Sequence, residues 1–240
     1  MDQKRIRMFA GPNGSGKTTL FNYIKNKGIP VYFYVNPDQI EFDLNRKKFI
    51  NFNEYGLSNI IKEDFHKFLN NKNAFFKNFK DSNLYNIKIH NNILTIKNKI
   101  DSYAASIISE FIRYLFVRIQ ISFSFETVMS HKSKIEIIKK AIKKGYKLYL
   151  YFICTENPTL NTQRINERVF KKGHYVNQQK VKERYFRSLN LLPKCIPICD
   201  RAYIFDNSKT EIELIAEFEN GKLTKLLNKN ISWFNNLNLK

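Results

Sequence analysis

Apolar positions in this chain fall into short continuous runs and helix-spaced stripes, and the two kinds alternate. Residues 6–10 are a short apolar run that ends at a cluster of glycines, after which residues 18–25 take up helical spacing. Residues 31–35 are a second β-rich run. It stops at Asn36-Pro37, where proline removes a ladder donor and restricts its predecessor. Runs at 121–125 and 148–153 each follow a helical stripe, at 103–116 and 134–143, and Gly145 is placed to close the second stripe. Asn157-Pro158 breaks the chain before a helix over 159–170, a further helix covers 181–191, and 202–205 make another strand. Residues 212–218 and 223–227 flank Asn220-Gly221, a pair that supplies the positive φ of a type I′ turn and so predicts a hairpin.

Strands alternating with helices predict an α/β fold, a mainly parallel sheet flanked by helices, because parallel neighbours need a crossover between them. The 240 residues are read as a single domain, with a C-terminal hairpin at 211–228. Residues 45–100 interrupt the alternation. They are rich in Asn, Lys and Phe, show helical patches such as 60–69 and no clean strand, and read as a helical insertion: either a packed elaboration or a substrate cap or partner surface.

Composition adds a net charge of +20, from 41 Lys and Arg against 21 Asp and Glu. Such a balance suits nucleic acid, an anionic surface or a phosphate-rich substrate. Part of it matches the drift of an AT-rich genome, which also enriches Asn, Ile, Phe and Tyr and depletes Gly, Ala and Pro. The lysines of 132–147 read as a solvated helix face. No run of about 20 apolar residues is present and no signal-peptide core follows Met1, so the expectation is a cytoplasmic protein without a membrane span. The three cysteines, Cys154, Cys195 and Cys199, lack the paired spacing of a zinc site and read as reduced thiols.

The sharpest chemical signal is Gly11-Pro12-Asn13-Gly14-Ser15-Gly16-Lys17-Thr18, which fits G-x-x-x-x-G-K-[ST] without a mismatch. Three of the chain's eight glycines lie in it. Glycines let backbone N–H groups turn inward around phosphate oxygens, and the next helix offers its positive end to the same anion. Lys17 is placed for the β- and γ-phosphates, Thr18 for Mg²⁺, and Thr19 continues the binding turn. ATP or GTP is therefore the expected cofactor, with Mg²⁺.

Asp38 follows the second strand. In an open parallel sheet that end faces the ligand crevice, where a carboxylate serves as general base or holds Mg²⁺ through water; the alternative is a helix or turn cap. Glu126 and Thr127 follow the strand at 121–125 and fit either substrate hydroxyls, a metal-side acid, or, for Thr127, a helix cap. Arg164 and Arg168, four apart on one helix, share a face. With Lys171, Lys172, Gly173, His174, Arg184 and Arg187 they form either a basic lid over transferring phosphates or a solvated face; His174 alone reads as structural. Asp206-Asn207-Ser208 reads first as an Asx-turn and second as a contact to the nucleotide base.

The glycine loop, Asn36-Pro37-Asp38, Phe125-Glu126-Thr127, the Arg164 and Arg168 helix with Gly173-His174-Tyr175-Val176, and Asp206-Asn207-Ser208 together resemble the zeta-toxin-like family of P-loop kinases over about residues 5–208, apart from 45–100. The resemblance implies transfer of the γ-phosphoryl group to a small-molecule hydroxyl, UDP-N-acetylglucosamine in the members known as toxins, and an antitoxin or immunity protein as partner. It implies Asp38 as catalytic base, Glu126 and Thr127 as substrate contacts, and Arg164 and Arg168 as phosphate-binding lid residues. Lys172-Gly173-His174 lacks a glycine that many members carry before the Gly-His pair, and the long segment before Ser102 is unusual for the shorter members. The charge prompts a second reading, an NTPase or RNA-end kinase associated with nucleic acid.

Overall fold

The computed structural model of the chain describes residues 3–71, 84, 87–170 and 177–239. In chain order it runs β1 (Arg5–Ala10), α1 (Lys17–Asn26), β2 (Phe33–Val35), α2 (Pro37–Lys47), β3 (Phe49–Asn51), α3 (Lys62–Asn71), β4 (Lys88–His90) and β5 (Ile93–Thr95). It continues with α4 (Ser102–Ile119), β6 (Phe123–Thr127), α5 (Ser133–Ile142), β7 (Lys147–Cys154), α6 (Pro158–Phe170), α7 (Gln178–Cys195), β8 (Arg201–Asp206), β9 (Glu213–Glu219), β10 (Lys222–Leu226) and α8 (Ser232–Asn235). These elements form two compact units, Met1–Val31 with Ser124–Lys240, and Tyr32–Phe123.

In the first unit the sheet runs in the order β10-β9-β8-β7-β1-β6. β1 lies inside it, and Ile6, Met8, Phe9 and Ala10 are all buried, which is why the strand reads as an unbroken apolar run rather than an alternating one. Arg7 is the exception. Its guanidinium donates to the Pro30 carbonyl at 2.6 Å and to the Tyr151 hydroxyl at 2.7 Å, and lies 4.8 Å from the Tyr149 ring centre, so its charge is satisfied where water is excluded. β1 pairs in parallel with β7, matching Ala10 to Phe152, and β7 pairs in parallel with β8, matching Phe152 to Ile204. The chain segments that leave β1, β7 and β8 therefore emerge side by side at one end of the sheet.

β9 and β10 extend this sheet as an antiparallel hairpin. Asn220 and Gly221 at its tip have φ of 49° and 79°, the left-handed pair that a type I′ turn demands. The chain leaves the first unit at Val31 and returns to it at Ser124, whose buried hydroxyl donates to the Val31 carbonyl.

The second unit is built on α4. Asp101 caps this helix by accepting from the Tyr103 and Ala104 amides at 3.0 and 2.8 Å. Phe111, fully buried, meets the rings of Phe65, Phe68 and Phe52 at centroid distances of 5.0, 5.3 and 6.0 Å. Asn45 on α2 pins the start of the same region by bonding both the N–H and the carbonyl of Ile100 at 2.9 Å, and Arg118 pairs with Asp64 at 2.6 Å. Residues 45–100, expected to be helical without strands, also carry the antiparallel sheet β3-β5-β4. Each of its strands spans 3 residues, too short to display a period of two in the sequence. Among the described residues no helix is long and apolar enough to cross a membrane.

Phe111→Ala removes the ring on which three others converge and is expected to cost about 3–5 kcal/mol. Urea unfolding of the purified variant measures this, and an unchanged midpoint would remove the aromatic cluster from its structural role.

Candidate functional site

The glycine loop begins directly after β1, as the sequence suggested. Gly11 donates its N–H to the Thr127 carbonyl at 3.3 Å and has φ of 150°. A Cβ there would fall on the Ile153 carbonyl oxygen at the end of β7, so only glycine lets the loop pass this close to the neighbouring strand. Ser15 donates its N–H to the Pro12 carbonyl at 3.3 Å, and the Lys17 ammonium donates back to the same carbonyl at 2.9 Å, folding the loop over itself. Gly16 then starts α1 in the left-handed conformation, φ 99° and ψ 25°.

That start is unusual in what it omits. No side chain caps the helix and its first turn holds no acidic residue. The first turn of any α-helix leaves its leading N–H groups without an acceptor inside the helix, and here that turn includes Thr18 and Thr19. Thr18 and Thr19 are exposed. Two buried oxygens, Asn13 Oδ1 and Ser15 Oγ, have no hydrogen-bond partner among the described residues. A helix start of this kind, with leading N–H donors and no acidic residue, is the type of end that suits an anion.

The segment after β8 grips this loop from another side. Asn207 Nδ2 donates to the Ser15 carbonyl at 2.9 Å, and the Asn207 N–H donates to the Cys154 carbonyl at 2.8 Å. Asp206, 4% exposed, accepts from the Ser208 N–H at 2.9 Å, the Ser208 hydroxyl at 2.8 Å and the Trp233 indole N–H at 2.6 Å. The Ser208 hydroxyl in turn accepts from the Glu156 N–H at 2.8 Å. The Asx-turn expected of Asp206 is thus present. The clamp from Asn207 to the glycine loop had no signal in the sequence, because its two ends lie 192 residues apart.

The remaining candidates fall at separate places. Glu126 and Thr127 are the last residues of β6 rather than its successors, and both are nearly buried. Thr127 Oγ1 accepts from the Met129 N–H at 3.0 Å, bracing a turn in which Met129 has φ of 51°. Thr127 is therefore a turn residue and not the cap of α5, whose N-cap is Lys132. The Thr127 hydroxyl proton stays available as a donor. On α6, Arg164 donates to the Asn207 carbonyl at 2.7 Å and the Lys209 carbonyl at 3.5 Å, tying the helix to the segment after β8. Arg168, one turn further, is exposed. Lys171, Lys172, Gly173, His174, Tyr175 and Val176 lie outside the described residues.

Asp38, in the second unit, occupies the first turn of α2. Asn36 caps that helix by accepting from the Asp38 N–H at 2.9 Å, and Pro37 takes the first helical position, where a missing N–H costs nothing. The Asp38 side chain is exposed.

With the loop, its helix and the sheet order established, solved structures supply the comparison. The chain aligns with the AvrRxo1-ORF1:AvrRxo1-ORF2 complex with ATP at a TM-score of 0.59 and 12% identity, covering 98% of this chain and 63% of that one. The same complex with sulphate ions gives 0.58 and 13%, with the same coverages of 98% and 63%. A structure from the PezAT chromosomal toxin–antitoxin system of Streptococcus pneumoniae gives 0.50 and 13%, covering 90% of this chain and 72% of that one. These likenesses show the fold, a mixed sheet of mostly parallel strands flanked by helices. The chain spans less than two thirds of the AvrRxo1 chain it matches. No protein-family model and no curated protein matches the sequence.

Other chemistries find little support among the described residues. All three cysteines are free and buried, and burial pushes the Cys154 thiol up to about 12, so it is no ready nucleophile at neutral pH. No group of three or more His, Cys, Asp or Glu residues is gathered to hold a metal ion among the described residues. A Mg²⁺ ion bound through one hydroxyl, phosphate oxygens and water needs no such cage, which fits Thr18 at the head of α1.

Gly11→Ala forces a side chain into backbone at a φ that disfavours it, with an expected loss of at least about 1–3 kcal/mol. Thermal and urea unfolding read the loss; a variant as stable as the parent would show that the loop does not need this close approach.

Proposed function

We propose that this chain is an ATP- or GTP-dependent small-molecule kinase that carries the γ-phosphoryl group to a hydroxyl. The observation that carries the reading is the glycine loop: positive φ at Gly11, Gly14 and Gly16, neighbouring backbone that leaves no room for a Cβ at Gly11 and Gly14, the Asn207 side chain against Gly16, and an uncapped helix start beyond it. In this reading Gly11, Pro12, Asn13, Gly14, Ser15, Gly16, Lys17, Thr18 and Thr19 bind the triphosphate. The Lys17 ammonium exchanges the Pro12 carbonyl for phosphate oxygens, and the Thr18 hydroxyl holds Mg²⁺. When bound, Mg²⁺ supplies charge neutralisation on the phosphates. The AvrRxo1 complex determined with ATP supports ATP as the nucleotide.

Asp38 takes the proton of the acceptor hydroxyl as its oxygen bonds to the γ-phosphorus and the bond from that phosphorus to the β-phosphate oxygen breaks. Glu126 and the Thr127 hydroxyl hold the acceptor. Arg164 and Arg168 neutralise charge on the transferring group, which for Arg164 means giving up the Asn207 carbonyl. The favoured acceptor is a nucleotide sugar such as UDP-N-acetylglucosamine, on the resemblance described above, and the enzyme acts in the cytoplasm as the toxin of a toxin–antitoxin pair. The PezAT likeness supports an antitoxin partner.

Purified protein incubated with ATP, Mg²⁺ and UDP-N-acetylglucosamine is expected to release ADP only when the acceptor is present, and to yield a singly phosphorylated sugar nucleotide by mass spectrometry. Full turnover without an acceptor would sink the kinase reading. Asp38→Asn should slow transfer by about 10²–10⁴-fold while nucleotide affinity stays near that of the parent. The net charge of +20 supports the second reading, an NTPase that works on nucleic acid. In that case RNA or DNA binds and is released steeply as salt rises, whereas salt-insensitive or absent binding disposes of it.

A further inference from the structure

We infer that Asn207 is a positioning residue of the phosphate loop, and that Trp233, through Asp206, couples the state of that loop to the C-terminal end of the chain. The inference rests on the nucleotide reading of the glycine loop and adds to it residues that no loop motif contains.

The loop has few means of holding its shape. Three of its residues are glycines, and its Ser15 and Asn13 side chains have buried oxygens without partners among the described residues. A carbonyl in such a loop must be turned away from the anion so that the adjoining N–H groups point toward it, because a peptide plane carries its two dipoles in opposite senses. Asn207 Nδ2 holds the Ser15 carbonyl at 2.9 Å, which orients the peptide plane joining Ser15 to Gly16. That plane's N–H belongs to Gly16, the residue that opens α1.

Asn207 is itself fixed on both sides. Its N–H bonds the Cys154 carbonyl at 2.8 Å, and until Arg164 turns to the phosphate its carbonyl accepts from that guanidinium at 2.7 Å. Its predecessor Asp206 is a buried carboxylate met by three donors, of which the Trp233 indole is the one supplied from beyond the hairpin. Trp233 is 5% exposed, and its ring lies 6.2 Å from that of Phe152 on β7. Removing the indole donor leaves a buried carboxylate one partner short at the residue before the clamp, and such a deficit is relieved by movement of the segment. Trp233 is also the only tryptophan of the chain, so indole emission reports the surroundings of this residue.

The test uses the full chain. Titration with ATP and Mg²⁺ is expected to change Trp233 emission, with a midpoint that matches the affinity from calorimetry; binding without any change in emission overturns the coupling. Asn207→Asp keeps the shape of the side chain, removes the donor, and sets an oxygen against the Ser15 carbonyl. ATP affinity should fall at least about tenfold in this variant and in Asn207→Ala, with the far-ultraviolet circular dichroism unchanged. Affinity equal to that of the parent in a folded variant overturns the positioning role of Asn207 while leaving the nucleotide reading intact. Failure of the parent chain to bind ATP overturns both.

Discussion

Close approach of one backbone to another governs this structure. The loop after β1 must turn a strand into a helix within six residues while passing the carbonyl of Ile153 on one side and the amide of Asn207 on another. A Cβ at Gly11 or Gly14 would strike backbone, one at Gly16 would displace the Asn207 side chain, and no side chain caps the helix that follows. The loop therefore cannot stabilise itself through packing. Its shape is imposed by what surrounds it: the parallel register that aligns the ends of β1, β7 and β8, the Thr127 carbonyl at the end of β6, and the clamp from the segment after β8.

The parts of the fold that announce themselves in the sequence are those decided by neighbours in the chain. Asn36-Pro37 and Asn157-Pro158 start helices because an Asn side chain accepts from amides two or three residues on and proline suits the first turn. Asn220-Gly221 makes its turn for equally local reasons, and the glycine spacing of the loop shows directly in the residues. Boundaries shifted where the tertiary ladder carries on past the local pattern. β6 keeps Glu126 and Thr127 inside the strand, and α7 extends from 178 to 195 through Pro193.

What the sequence hid is long-range. The strand at 49–51 finds its partner far along the chain, at 93–95, whereas 88–90 and 93–95 pair locally across a turn at Asn91 and Asn92, and arms of three residues leave no alternation to read. Arg164 offered a phosphate ligand by its residue type, yet in the structure its guanidinium meets two backbone carbonyls. Asp206 looked like a local turn and is one, but it also receives the indole of Trp233. Residue type restricts the chemistry a side chain can perform; only the fold decides which partner it performs it with.

The bond between the Ser124 hydroxyl and the Val31 carbonyl has an entropic consequence. It holds together the two points at which the chain leaves and rejoins the first unit, so the intervening segment begins and ends at one spot. The entropy of closing a loop grows only slowly with its length, so the first unit is nearly indifferent to how much chain hangs between those points. Residues inserted between those points therefore cost the pairing of β10, β9, β8, β7, β1 and β6 little. Asp38 lies within the insert, whereas the glycine loop and its clamp lie outside it. The glycine loop and residue 38 thus belong to different units of the chain.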